Sequence, residues 1–314
     1  VFFLNNAINH GVLTPLGTDV GGNQNWLRLG PVQFQPSEFA KLALIVWCGT
    51  VFHLKRGRLH EPLQLALPLL PFGGLIVALV LAGKDLGTGL ILGAILVLIM
   101  WFVGFPLRVL VPLGAAALAL VGLLVYGSGN RMSRISIFLD PQSNTDLSSQ
   151  PMAALYALAS GGWWGAGLGA SKQKWGGLET GAHTDYIFAV IGEELGLFGV
   201  LLVIGLFALL GWAGLEVALR SDKLFNRIVA AGITGWFMVQ AVINIMVVMH
   251  LLPVLGVPLP FMSYGGTALM ASLMAAGVLL ALARNTPTAR AYRASRRPKS
   301  RPRMTSVMAA SKED

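Results

Sequence analysis

Apolar residues in this chain come in long unbroken runs, not in alternation. Seven runs stand out, at roughly 39–54, 64–82, 86–104, 107–126, 186–214, 227–250 and 264–283. A helix needs roughly 20 apolar residues to cross a hydrocarbon core, and barrel strands would alternate instead. The pattern therefore predicts an all-α polytopic integral membrane protein with seven transmembrane helices. The first run opens at "QPSEFAK", where Ser37 after Pro36 is the expected N-cap. "GTGLILG" sets Gly89 and Gly93 in the G-x-x-x-G spacing of closely packed helices.

The polar residues gather in the connections. Most are short: "KRGRLHEP" (55–62), "GK" (83–84), "GFP" (104–106) and "RSDKLFNR" (220–227). The connection 127–185 is far longer than the ordinary length of about 4–6 residues. Its composition is not that of disorder. It holds Trp163, Trp164 and Trp175, a helical-looking piece near 151–160 and the glycine-rich bend "SGGWWGAGLG". A loop folded down onto the membrane surface is expected. The segment 251–263 carries Pro253, Pro258 and Pro260, so it is not a regular helix. At membrane depth such backbone is tolerated only against protein or a water-filled cavity.

Charge fixes the expected orientation. Only 12% of residues are charged, against about a quarter in soluble domains. The net +9 is concentrated after residue 284, where "RNTPTARAYRASRRPKSRPRMTSVMAASKED" supplies most of the excess. That location argues against nucleic acid and for a tail, 285–314, lying unstructured along the cytoplasmic surface. "KRGR", Arg108 and "RSDKLFNR" alternate onto the same side. Residues 1–37, the Lys84–Asp85 turn, 127–185 and 251–263 then face outward. Cys48 is the single cysteine, which excludes an internal disulfide framework.

Candidate chemistry lies at the outer ends. In "AHTDYIFAVIGEELG", Asp185 precedes an apolar run that also contains Glu193 and Glu194. On one straight helix Glu193 would lie roughly 12 Å deeper than Asp185 and about 80° around it, with Glu194 on yet another face. Carboxylates inside a span are functional candidates. The plain alternatives are a helix cap for Asp185, an intramembrane ion pair for the glutamates and an interfacial role for His183. Lys41 follows Glu38 at i,i+3 spacing or snorkels, and Gln240 and Asn244 fit interhelical hydrogen bonding. Arg28, Lys84, Arg131, Arg134, Lys172 and Lys174 are outward cations suited to a pyrophosphate, and the glycines at 161–169 offer backbone N–H groups to the same anion. No Walker motif or dedicated metal spacing is present. The residues fit an enzyme acting on an anionic, lipid-linked ligand and a transporter of one about equally.

Four stretches occur in order: "NQNWLRLGPVQFQPSEFAKLAL", "DLGTGLIL", "GLGASKQKWGGLETGAHTDYIFAVIGEELGLFG" and "LLPVLGVPLPFMSYGGTAL". Together they resemble the SEDS family (shape, elongation, division and sporulation) of peptidoglycan glycosyltransferases, over Asn23 to Arg284. "SKQK", "AHTD" and "IGEELG" are more similar to the division type, FtsW, than to the elongation type, RodA. The family has ten spans, so the resemblance implies that three precede these seven, with 1–284 forming one transmembrane domain. It implies polymerisation of lipid II at the outer face of a bacterial cytoplasmic membrane, at the division septum. Asp185, the aspartate of the HTD motif, would be the general base. Arg28, Lys84, Asp85, Lys172, Lys174, His183, Glu193 and Ser263 are the expected substrate contacts. The implied partners are a class B penicillin-binding protein and other division proteins. A divalent cation, Mg or Mn, on the pyrophosphate is chemically reasonable without a diagnostic ligand set. A lipid II flippase and a scaffold recruiting the transpeptidase are the competing readings. Two departures stand out: Lys84 replaces the usual proline before "DLGT", and "LETGAHTD" replaces "LPEAHTD", which inserts Gly181.

Overall fold

The computed structural model describes residues 17–20, 23–29, 32–58, 62–127, 129–141, 145–178 and 181–296. Among them a three-stranded antiparallel sheet comes first, β1 (Gly17–Val20), β2 (Asn23–Leu29) and β3 (Val32–Phe34), with Thr18 opposite Trp26 and Leu27 opposite Phe34. Hydrophobic periodicity gave no sign of this sheet, because its strands are short and β2 opens on polar residues. Ten helices follow: α1 (Pro36–Leu54), α2 (Pro62–Ala82), α3 (Leu86–Val103), α4 (Leu107–Tyr126), α5 (Gly129–Leu139), α6 (Thr145–Gly161), α7 (Ile187–Arg220), α8 (Leu224–Val248), α9 (Gly266–Arg284) and α10 (Pro287–Arg296).

Among the described residues six helices are long and apolar enough to cross a bilayer: α1, α3, α4, α7, α8 and α9. The expected seventh span coincides with α2, of which Leu67–Ala82 forms a shorter apolar helix. The tail expected to be unstructured begins as helix α10, with Pro287 at its first position and alanines and arginines to propagate it. The rest of the tail lies outside the described residues.

Local chemistry explains the helix ends. Gln35, not Ser37, is the N-cap of α1, because Pro36 already supplies a preset φ at the first helical position. Asp85 caps α3, accepting from Thr88 N at 2.9 Å and Thr88 Oγ1 at 2.7 Å. Gly104, at φ 98, ends α3 in the left-handed conformation.

Helix α8 is the axis of the molecule. Trp236 and Phe237 are fully buried in a core shared with Ile45, Cys48 and Phe52 of α1 and Ile91, Leu92 and Ile95 of α3. Small residues let neighbours approach. A side chain on Gly214 would collide with Thr234, one on Gly211 with Met238, and one on Gly232 with Ile45. The G-x-x-x-G pair is not a two-glycine seam: Gly89 packs under Leu81, while Gly93 faces open space. A second core joins α6, the start of α7 and the end of α8 through Ala154, Ala157, Phe188, Ala189 and Val248.

Hydrogen bonds gather several ends onto one face, termed here the loop face. Gln35 Nε2 donates to Asp85 Oδ2 at 3.1 Å, Arg131 Nη2 to the Lys84 carbonyl at 3.1 Å, and Arg134 Nη1 to the Val254 carbonyl at 3.2 Å. At the opposite, basic face Arg290 of α10 pairs with Asp222 of the α7–α8 turn.

Candidate functional site

Asp185 lies in the turn before α7. Tyr186 is the N-cap and makes no side-chain cap bond, so Asp185 is not a helix cap. The turn is tight: Ala182 N donates to the Leu178 carbonyl at 2.7 Å, and Tyr186 N to the Gly181 carbonyl at 3.1 Å. The inserted Gly181 has a reason, since a side chain there would strike the buried Tyr186 ring.

Three successive carbonyls of this turn are held from outside it. His183 O accepts from Tyr264 N at 2.7 Å, Thr184 O from Ser263 Oγ at 2.6 Å, and Asp185 O from Asn244 Nδ2 at 2.8 Å. Ser263 Oγ also accepts from Leu259 N at 2.7 Å. Ser263 is therefore a buried framework residue rather than the expected substrate contact. The His183 side chain is exposed.

The Asp185 carboxylate is half-buried and accepts no hydrogen bond among the described residues. It lies near Gly256, which has φ 68; a Cβ there would sit 3.7 Å from Asp185 Oδ2. Burial pushes the carboxyl up to about 6, and the Arg134 guanidinium pulls it back part of the way. Burial and the neighbouring Asp185 charge also raise the Tyr186 phenol.

The proline-rich segment is held by α8. Gln240 Nε2 donates to the Pro258 carbonyl at 2.8 Å, and Asn244 Nδ2 to the Val257 carbonyl at 2.8 Å. Both amides satisfy irregular backbone, and Gln240 also joins α8 to α1, as expected, through Lys41. Gln240 Oε1 accepts from Trp236 Nε1 at 2.6 Å and from Lys41 Nζ at 3.0 Å, which fixes the amide's orientation. Lys41 pairs with Glu38 at 2.8 Å and lies over the Trp236 ring. It is fully buried, so it does not snorkel.

A cavity of about 760 Å³ opens beside this segment. Lys84, Arg131 and Arg134 supply its charge, and Leu81, Leu90, Leu124 and Leu255 much of its apolar wall. Lys84 adopts φ 63, an uncommon conformation for a side-chain-bearing residue. Its exposed ammonium has no partner among the described residues. Asp85 lines the same cavity, but its carboxylate serves as the α3 cap. Arg131 and Arg134 were visible in the sequence only as scattered outward cations. Their i,i+3 spacing in "GNRMSRIS" is the signal that would have placed both on one face of α5.

The other expected contacts are elsewhere. Glu193 is buried and closes the turn Gln173–Trp175, accepting from Ser171 Oγ at 2.5 Å and Lys172 N at 2.9 Å. Lys172 and Lys174 sit on that turn, away from the cavity lining, with Lys174 over the Trp175 ring. The side chain of Arg28 lies outside the described residues. The straight helix expected through Glu193 and Glu194 is broken at Gly196, at φ 64 and ψ −160. The Glu193 and Glu194 carbonyls accept from Ala166 N at 2.9 Å and Gly167 N at 3.0 Å, and Leu197 N donates to the Gly162 carbonyl at 2.9 Å. These N–H groups of the glycine-rich bend are therefore committed to α7 and do not face an anion. Among the described residues no three His, Cys, Asp or Glu side chains group as metal ligands.

A family model described as a cell cycle protein, covering FtsW, RodA and SpoVE, matches residues 2–288. The chain belongs to the FtsW, RodA and SpoVE family. It is 38% identical over 271 residues to the probable peptidoglycan glycosyltransferase FtsW of Trichlorobacter lovleyi, covering 86% of this chain and 71% of that protein. It is 39% identical over 280 residues to the protein of the same name from Mycobacterium tuberculosis, covering 88% of this chain. The chain spans about half the length of that relative, 53%. Its backbone resembles a chain in the structure "Structural coordination of polymerization and crosslinking by a peptidoglycan synthase complex", with TM-score 0.67, 29% identity, and 91% and 80% of the two chains covered. Membership in the FtsW, RodA and SpoVE family, with six apolar helices, makes this a multi-pass membrane protein.

Proposed function

We propose that this chain polymerises peptidoglycan glycan strands from lipid II, with Asp185 as general base. The observation that carries the reading is a half-buried carboxylate, raised to about 6 and accepting no hydrogen bond among the described residues, beside a cation-lined cavity with leucine walls. A base with its pKa near working pH is both deprotonated and able to accept a proton.

In the proposed step Asp185 takes the proton from the acceptor sugar's 4-hydroxyl. The freed oxygen bonds to the donor's anomeric carbon, and the bond from that carbon to the pyrophosphate oxygen breaks. Undecaprenyl pyrophosphate leaves with the electron pair, its charge met by Lys84, Arg131 and Arg134, and its polyprenyl chain suits the leucine wall. The described residues make no dedicated metal site, and no step is routed through a cation. The loop face is the outward side of a bacterial cytoplasmic membrane, in keeping with the basic residues opposite.

The names of the relatives support the polymerase reading. The closer resemblance to FtsW supports a role in division at the septum, and the synthase-complex neighbour supports a class B penicillin-binding protein as partner. A flippase would need polar groups accessible through the membrane. Glu38, Lys41, Gln240 and Asn244 are instead buried and bonded to one another or to backbone, which favours the enzyme.

The test is glycan-chain synthesis from lipid II by the full-length protein with its partner. Asp185→Asn is expected to lower the rate on the order of 10²–10⁴-fold with folding and partner binding retained. Unchanged synthesis removes Asp185 from the mechanism.

A further inference from the structure

Two segments far apart in sequence build the surroundings of the Asp185 carboxylate: the turn that carries it and the proline-rich segment whose Gly256 lies near it. One side-chain atom holds both. Asn244 is buried on α8, and its Nδ2 donates one hydrogen to the Asp185 carbonyl and the other to the Val257 carbonyl, each at 2.8 Å. A single nitrogen therefore fixes the residue bearing the carboxylate and the residue next to Gly256. Among side chains of this size, a neutral carboxamide supplies two hydrogens from one atom; a carboxylate supplies none and a hydroxyl one.

The neighbouring bonds make this clamp stiff. Gln240, one turn away on α8, holds the next carbonyl, that of Pro258, in an orientation set by Trp236 and Lys41. From the other side Arg134 holds the Val254 carbonyl while lining the cavity. The segment Val254–Pro258 is thus gripped on both sides of Gly256. Among the described residues, the Asn244 bond is the one hydrogen bond that joins that grip directly to Asp185.

We infer that Asn244 is a positioning residue for the reaction proposed above, holding the Asp185 carboxylate near Gly256, which follows the cavity-lining stretch Leu252–Leu255. Its amide touches no reacting atom. It acts by keeping the base in its half-buried place and by satisfying two carbonyls at once, each of which would otherwise be left without that donor. The charged and titratable groups acting on the carboxylate are Arg134 from α5 and the adjacent Tyr186. Asn244 from α8 and Gly256 and Val257 from the proline-rich segment carry no charge.

The inference rests on Asp185 as the base, and the experiment separates the two. Lipid II polymerisation by the full-length protein is followed from pH 4 to pH 8, with rates normalised to folded protein, for wild type, Asp185→Asn, Asn244→Ala and Asn244→Gln. Asn244→Ala is expected to lower kcat on the order of 10²-fold, the scale of a displacement of about 1 Å, with KM unchanged. It should also move the acid limb of the profile down from near pH 6 toward the ordinary carboxylate value, because the released side chain turns to water. Asn244→Gln keeps both hydrogens and should recover part of the rate and of the limb. A merely structural role would lower the folded fraction and leave the limb in place. That result, or wild-type kcat in Asn244→Ala, overturns the inference while leaving Asp185 as the base. Should Asn244→Ala not fold, a wild-type acid limb in Asn244→Gln at a reduced kcat overturns it as well. If Asp185→Asn is fully active, the parent reading fails first.

Discussion

The loop face carries two irregular connections of different construction. The segment 161–178 is fastened mainly to the start of α7: the backbone of the glycine-rich bend bonds to the carbonyls exposed at the Gly196 break, and the Glu193 carboxylate closes the Lys172–Trp175 turn. Its aromatic side chains remain outside, with Trp164 81% and Trp175 75% exposed. The segment 251–263 is gripped by buried side chains of α8 and by Arg134, and most of its polar partners are out of water. The first is a strap whose fit depends on missing side chains, the second a rigid floor whose fit depends on particular ones. A base of defined strength needs the second kind of support, since its pKa follows how completely it is kept from solvent.

Lys41→Met should have the largest effect on stability. It leaves Glu38 as a buried charge without its partner and removes one of the two donors to Gln240 Oε1, costing about 3–5 kcal/mol by thermal or denaturant unfolding in detergent. A cost below about 1 kcal/mol would show that the buried pair does not hold the floor. Gly196→Ala comes next, at about 2 kcal/mol or more, because a non-glycine residue at positive φ is strained and the added Cβ meets the backbone of Trp163 and Gly165. It should change Trp163 and Trp164 fluorescence and leave the acid limb of the pH profile where it is. A shifted limb would mean that strap and floor are coupled. The smallest effect on stability is that of Arg134→Gln, which also weakens the charge offered to the leaving pyrophosphate. The Arg134 charge holds the Asp185 pKa down, so its removal should raise the limb above about 6, and activity would then fall away sooner on acidification. An unmoved limb would separate Arg134 from the base.

The sequence disclosed the helices and the position of Asp185 well, because long apolar runs and a polar turn beside them are local signals. It disclosed the supports poorly. Gln240 and Asn244 read as interhelical glue, which Gln240 is through Lys41, but nothing local reveals that both also hold a proline-rich segment further along the chain and that Asn244 holds the Asp185 carbonyl. Glu193 read as a deep carboxylate because nothing local reveals that Ser171 and Lys172 return to bind it, and the break at Gly196 depends on a loop that returns from 162–167 to satisfy the exposed carbonyls. Ser263 and Asp85 read as ligand contacts because a polar side chain at an irregular corner looks the same whether it faces a substrate or a backbone group. Arg131 and Arg134 were seen as charges, but the long connection around them hid helix α5 and with it their common face.

The left-handed backbone at Lys84 limits what this position can become. A proline ring locks φ near −65°, whereas Lys84 sits at φ 63, so restoring the family's usual proline would require the α2–α3 corner to be rebuilt. Glycine fits the present corner without strain but gives up the cation. The route back to the common family sequence is therefore closed to a single substitution, and engineering that borrows the consensus residue here should expect a displaced Asp85 cap and a reshaped cavity mouth.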